Sequence, residues 1–248
     1  MVNKALQPKL QGFFYLNGLK DLKERMQSVI DTFIAPPCYA EIDILFQDEH
    51  LLLINKPSGL LSLSGKNPLN KDSVHFRLVQ DFPTATLLHR LDFGTSGIMV
   101  AALNKTVNAF IGKQFQEGKV LKTYSAILYG HMRDHMGMIE FPVSKDPDNF
   151  PLQKICYTAG KTAVTNYQVI ERLENPSRTR VLFSPVTGRT HQLRIHSREY
   201  GHPILGCDLY KNADSLGMAE RLMLHATTIE FTHPATQQTM KGFCPCPF

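Results

Sequence analysis

The sequence predicts an α+β fold built on a mixed, mostly antiparallel sheet with flanking helices. Three observations lead there. Segments with strand periodicity outnumber helical ones, only a few stretches show apolar residues at helical spacing, and the two kinds do not alternate regularly. Irregular order of this kind argues against a doubly wound parallel sheet. At 248 residues, with 43% hydrophobic and 20% charged side chains, the chain has the composition of a globular protein with a substantial core.

Taken in order, residues 1–40 form an extension and residues 41–248 the main domain. Leu19, Leu22, Met26, Val29, Ile30 and Phe33 recur at helical spacing until Ala35-Pro36-Pro37 stops the pattern. This amphipathic helix either packs on the main domain or meets a partner. The period then becomes strand-like at 42–46 and 51–54, with Gln47-Asp48-Glu49-His50 as the turn between them. Turn chemistry at 55–59 closes the second strand, 62–72 is polar and reads as a mobile loop, and 74–79 reads as a short helix. Val107, Phe110, Ile111 and Phe115 mark a helix over 106–117, with Gly118 as its C-cap. Strands are predicted at 124–129, 138–143, 162–170, 179–183 and 223–231, and a short helix at 190–200.

Composition excludes several classes. No apolar run approaches the ~20 residues needed to cross a bilayer, and residues 1–11 lack the apolar stretch of a signal peptide. The expected address is the cytoplasm. Five cysteines at no framework spacing fit a reducing compartment, and Cys244-Pro245-Cys246 lacks the spacing and second pair of a zinc knuckle. His131 and His135 have only Asp134 as a further ligand candidate, while His191, His196 and His202 are interleaved with arginines that would oppose a cation, so no metal is expected. Neither GxGxxG nor GxxxxGK[ST] is present, so no nucleotide cofactor is expected. The formal charge is +5, and Arg189, His191, Arg194, His196, Arg198, His202 and Lys211 crowd one segment. That cluster reads as a phosphate-facing surface, or else as a solvated helix face.

One stretch, residues 87–102, concentrates the candidates. Arg90 and Asp92 stand beside the turn signal Gly94-Thr95-Ser96-Gly97, which runs into the apolar residues 98–103. If 89–92 is extended, Arg90 and Asp92 share one face while His89 and Leu91 take the other. A polar loop held by a buried strand is where a rigid scaffold aims side chains outward.

Asp92 is then either a turn acceptor or a chemical group. A second motif, Thr187-Gly188-Arg189-Thr190-His191-Gln192-Leu193-Arg194-Ile195-His196, bears on the choice. Arg189, Gln192 and His196 fall on one helical face and Arg194 on another, so one turn offers phosphate ligands and a partner for a carboxylate. At ~4 Å and an effective dielectric of ~20, that pairing is worth on the order of 4 kcal/mol, enough to hold a half-buried carboxylate in place. Lys56 reads as a strand-end cation facing phosphate or solvent, with a Schiff-base amine as the other reading. Tyr124 starts a strand, either as a half-buried packing ring or as a platform for a nucleobase.

Taken together, several segments resemble the RluA family of pseudouridine synthases. They are Asn55-Lys56-Pro57-Ser58-Gly59-Leu60, His89-Arg90-Leu91-Asp92 with Thr95-Ser96-Gly97, Lys122-Thr123-Tyr124, and the run Gly188 to His196 with Gly201-His202-Pro203-Ile204. Their order and spacing fit, and the resemblance covers nearly everything from about residue 42 onward. It implies the family's catalytic fold with a central active-site cleft, Asp92 as the catalytic carboxylate, Arg194 as its salt-bridge partner and Tyr124 as the ring beneath the target base. Arg90 matches the position that enters the RNA stack as the uridine leaves it. Arg189, His191, Gln192, His196 and Lys56 are the remaining expected RNA contacts. The family usually has Asp directly after Gly206, and here Cys207 stands there with Asp208 next.

The resemblance implies isomerisation of specific uridines in structured RNA, large-subunit 23S rRNA or a tRNA anticodon stem-loop, by a cofactor-independent monomer. Base flipping, cleavage, rotation and rejoining then depend on Asp92, whose attack on ribose C1′, on uracil C6 or on a ribose proton stays open. A non-catalytic RNA-binding or chaperone protein using the same basic surface is the other reading, and a metal-dependent hydrolase is a third.

Overall fold

The computed structural model describes residues 33–215 and 217–248. Most of the amphipathic stretch read at 19–34 lies outside these residues. The alternating apolar segments become strands because burying one face of a pleated ribbon removes those side chains from water. They are β1 (Asp43–Gln47), β2 (Leu51–Lys56), β3 (Thr86–Leu87), β4 (Ser96–Ala102), β5 (Leu121–Tyr129), β6 (Met136–Glu140), β7 (Val143–Lys145), β8 (Gln153–Ile155), β9 (Val164–Leu173), β10 (Arg178–Pro185), β11 (Leu224–Thr232) and β12 (Thr239–Phe243). Helices α1 (Val74–Asp81), α2 (Lys105–Gln116) and α3 (Gln192–Glu199) complete the set. The expected α+β class and mixed, mostly antiparallel sheet are what the chain forms.

Ten strands form one sheet, along the path β1-β2-β4-β11-β5-β10-β9-β6, with β12 paired to β11 and β3 to β4. The β4–β11 pair alone is parallel, in register His225↔Ser96 and Ala226↔Gly97; its neighbours run antiparallel. Two apolar clusters fill the molecule, one around β2, β4 and α2 and one around β5, β9 and β10, and Tyr124 packs against both. β4 is buried along its whole length, which fixes the end from which the loop before it emerges.

Local chemistry sets the helix ends. Ser73 Oγ accepts from Phe76 N–H before α1, and Asn104 Oδ1 accepts from Val107 N–H before α2. Gln114 of α2 donates to Thr232 O (2.9 Å) and accepts from Thr232 N (2.8 Å), tying that helix to β11. The 62–72 segment is not the loose loop read from its polarity. A 3₁₀ turn at Pro68–Asn70 and the bonds Gly65 N to Asn70 O (2.8 Å) and Val74 N to Leu61 O (2.8 Å) close it on itself.

Candidate active site

Asp92 sits in the connection between β3 and β4, which bends at 88–89, turns at 93–94 and carries no regular secondary structure over 90–92. Arg90 is exposed, Leu91 buried and Asp92 half-buried, so exposure still alternates about Leu91, but His89 does not take a far face. All four line one cleft of about 970 Å³ between the two apolar clusters. Tyr124, Lys122 and Phe115 form part of one wall, and the segment 185–194 forms another.

The loop is stapled from behind by the Asn55 to Leu60 motif and the serine that follows it. Ser58 Oγ donates to Gly94 O (2.7 Å), Gly59 N to Phe93 O (2.9 Å), and Ser62 Oγ donates to Leu91 O (2.7 Å) while accepting from Leu91 N (3.1 Å). Lys56 belongs to this scaffold. Its Nζ lies within hydrogen-bond distance of the carbonyls of Pro57 (2.9 Å), Leu60 (2.6 Å) and Phe93 (3.1 Å). The residue is 0% exposed, so the expected role as an RNA-facing cation is corrected: Lys56 holds the loop that carries Asp92 instead. Burial pushes its pKa down to about 7, against the pull of Cys38 and Asp92.

The turn after Asp92 needs glycine for a steric reason. Gly97 has φ +112°, and a Cβ there would lie 2.2 Å from Ala226 O across the parallel β4–β11 pair. Next to it Ser96 Oγ meets His225 Nδ1 at 2.8 Å and accepts from Arg221. The Thr-Ser-Gly tail thus locks β4 to β11 immediately behind the site.

Arg194 reaches Asp92 from α3, as expected, with Nη1 to Oδ2 at 3.4 Å. Its other nitrogens are also held. Nη2 donates to Asp208 Oδ1 at 2.5 Å, Nε to Cys207 Sγ at 3.4 Å, and the guanidinium lies over the Tyr210 ring at 5.5 Å. The Arg194 side chain is 5% exposed, Asp92 27% and Asp208 74%. Burial works against the guanidinium charge, but Cys207, Asp92 and Asp208 outweigh it and raise its pKa. Where the resemblance expects Asp after Gly206, Cys207 supplies a soft acceptor and the next residue, Asp208, supplies the carboxylate. Asp208 was not singled out from sequence; its place one residue beyond the departure was the available signal.

The expected phosphate face of Arg189, Gln192 and His196 is corrected in part. Gln192 and His196 do share a helical face, but six of the eight residues of α3 are buried, and this polar face turns inward because each group finds a partner there. Gln192 accepts from Thr187 Oγ1 and Arg189 N and donates to Val164 O and Thr165 Oγ1. His196 meets Thr165 Oγ1 and Phe141 O. Neither is available to RNA. Arg189 remains exposed at the cleft, its Nε donating to Thr162 O (3.0 Å). His191 lines the cleft in a left-handed conformation (φ 55°) with Nδ1 at 2.9 Å from the Tyr210 hydroxyl. Burial lowers its pKa, Asp92 opposing.

Two further groups shape the cleft. His89 stacks on Phe115 (5.2 Å) and its Nε2 accepts from Val100 N (3.2 Å), an arrangement that needs a neutral ring. Burial, with Lys122 nearby, pushes its pKa down to about 3. Tyr124 is raised above the ordinary phenol value by burial and by Asp92, so its hydroxyl stays protonated. Among the described residues no group of three or more His, Cys, Asp or Glu side chains is arranged to hold a metal ion.

A model of the RNA pseudouridylate synthase family matches residues 50–199. The dual-specificity RNA pseudouridine synthase RluA of Yersinia pestis is 48% identical over 205 residues, spanning 83% of this chain and 99% of that protein. The protein of the same name from Escherichia coli (strain K12) is 43% identical over 213 residues, 86% of this chain and 97% of its own length. Among solved structures, human RNA pseudouridylate synthase domain containing 1 superposes with a TM-score of 0.72 at 28% identity over 86% of each chain. Human RNA pseudouridylate synthase domain containing 4, at 0.64 and 24% over 94% of each chain, shares the fold. The arrangement of Asp92, Arg194 and Tyr124 around one cleft and these likenesses agree, and the chain belongs to the RNA pseudouridylate synthase family.

Proposed function

We propose that this RNA pseudouridine synthase, an isomerase, receives a uridine flipped out of a structured RNA into the Asp92 cleft and rearranges its glycosidic bond with Asp92 as the reacting carboxylate. The observation that supports this most is the placement of Asp92, half-buried and paired to the buried Arg194, on a loop held by Lys56, Ser58, Gly59 and Ser62. A carboxylate so fixed approaches the ribose or the base without reorganising.

The reaction balances within the substrate. The N1–C1′ bond breaks, the C5–C1′ bond forms, C5 loses its proton and N1 gains one. Nothing is oxidised or reduced, and no group is transferred to another molecule. Tyr124 stacks beneath the extruded uracil, worth roughly 1–3 kcal/mol per base where such stacking occurs. Arg90, exposed at the rim, fills the gap left in the stack and offsets the few kcal/mol that extrusion costs. Arg189 and His191, also on the cleft, meet the flanking backbone.

The relatives' designation as dual-specificity supports two kinds of RNA substrate; our reading takes them to be large-subunit 23S rRNA and a tRNA anticodon stem-loop, as the sequence resemblance implies, acted on by a cytoplasmic monomer. Loops are the cheaper targets, since an unpaired base is easier to extrude. The non-catalytic RNA-binding reading loses its ground with membership of the synthase family. Incubating the purified protein with a 23S fragment and an anticodon stem-loop, then mapping pseudouridine, tests the proposal. One defined loop uridine converted in each RNA is expected; conversion of neither, or of paired uridines equally well, overturns it.

A further inference from the structure

Residues 33–40 carry no regular secondary structure, yet they are fastened at several points to one lip of the cleft. Asn70, 2% exposed, grips this strap with both ends of its amide: Nδ2 donates to Phe33 O at 2.7 Å, and Oδ1 accepts from Ala35 N at 2.8 Å. Arg77 of α1, itself held by Asp72, donates to Ala40 O (2.6 Å) and Cys38 O. The Phe33 ring meets Phe93, next to Asp92, edge-on at 5.3 Å. Strap and lip face each other across a cavity of about 210 Å³.

Asn70 is also the centre of the lip. Its carbonyl accepts from Gly65 N, and Gly65 lies so close that an added Cβ would stand 2.8 Å from Asn70 Cβ. The same lip contributes Leu61, Ser62 and Leu63 to the wall of the RNA cleft. Asp92's own loop is held from outside the lip by Lys56, Ser58 and Gly59, and from the lip only at Ser62. The strap precedes the stretch matched by the family model, residues 50–199.

We propose that residues 33–40 act as a positioning strap for the cleft lip, fastened at Asn70, and that this segment governs how well RNA is engaged rather than how fast a bound uridine reacts. The geometry behind it is weighted to the lip: the strap's hydrogen bonds to Asn70 and Arg77 end on the lip and α1. Its contacts beside Asp92 are the Phe33–Phe93 ring edge and the 3.9 Å approach of Cys38 Sγ to Ser58 O, and Lys56, Ser58 and Gly59 anchor the reacting carboxylate's loop from outside the lip. The inference rests on the Asp92 cleft being where RNA docks.

The test uses the full chain carrying Phe33→Ala with Ala35→Pro, which removes the ring contact and the N–H donor without touching the sheet. Hydrogen exchange at 61–72 should speed up by roughly tenfold, and KM for an RNA stem-loop should rise about 3- to 10-fold with kcat within about twofold, as for the loss of one or two net hydrogen bonds. Adding Asn70→Ala should raise KM little further, because both changes break the same fastening. Unchanged exchange at 61–72, a fall in kcat at constant KM, or a fully additive effect of Asn70→Ala would overturn the proposal. Exchange is read without turnover, so its outcome is independent of whether Asp92 is the reacting group.

Discussion

Replacing Arg194 with methionine removes the buried partner of Asp92 and keeps most of the side-chain volume. At 3.4 Å and an effective dielectric of ~20, the Arg194–Asp92 attraction is about 5 kcal/mol. Only part of this is expressed, because Asp208 shares the guanidinium and water reaches the exposed quarter of Asp92. With about 2–4 kcal/mol lost at the reacting carboxylate, kcat should fall roughly 30- to 1,000-fold at ~1.4 kcal/mol per decade. Stability should change by about 1 kcal/mol or less, since the substitution removes the buried charge and leaves behind two carboxylates that can hydrate. RNA affinity should shift by less than about threefold, as Arg194 is 5% exposed and offers little to phosphate. Single-turnover tritium release from C5-labelled RNA under saturating enzyme measures the first quantity, and fluorescence anisotropy the last. A fall in kcat below about threefold, or a loss of affinity as large as the loss of rate, would refute the pairing as the basis of Arg194's role.

Asp208→Asn loosens Arg194 without removing it, so kcat should fall by roughly 3- to 10-fold, the scale of one charge-assisted hydrogen bond. Combined with Arg194→Met it should add nothing in the same assay, and a further loss would mean that Asp208 acts elsewhere. Lys56 yields a pH signature: with the folded pKa pushed down to about 7 from an ordinary 10.5, the unfolded chain binds a proton between these values that the folded chain has released. Stability therefore rises with pH through this window, by roughly 2 kcal/mol from pH 7 to pH 9. Urea unfolding of the wild type should show that rise relative to Lys56→Met, and parallel curves would contradict the buried placement. A solvent-facing phosphate contact would instead leave stability flat and reduce the salt dependence of RNA binding.

The parts of the fold legible in sequence were those whose local pattern matches their final burial. The continuous apolar run of β4, the apolar 126–128 of β5, the alternation in β9, and the helical stripe of α2 all specify their own environment. The short β3 and β8 and the edge strand β12 did not, because they are held by neighbours rather than by an apolar face of their own. At the site, Asp92 and Arg194 were legible through motif and charge. Lys56 and His196 were misread because nothing adjacent in sequence reveals that a carbonyl 37 residues away, at Phe93, or one 55 residues away, at Phe141, closes over a polar head group. The polar run of α3 likewise looks like a solvated face until each donor and acceptor is matched to a partner on β9 or in the loops beside it.

The proposed rearrangement depends on one group above all, the Asp92 carboxylate. Asp92→Asn keeps the shape of the side chain and removes its charge, so it isolates chemistry from folding and docking. Incubated with RNA tritiated at uridine C5, the variant should bind as the wild type does and release no tritium above background. Tritium release by Asp92→Asn at a rate approaching wild type would contradict the account.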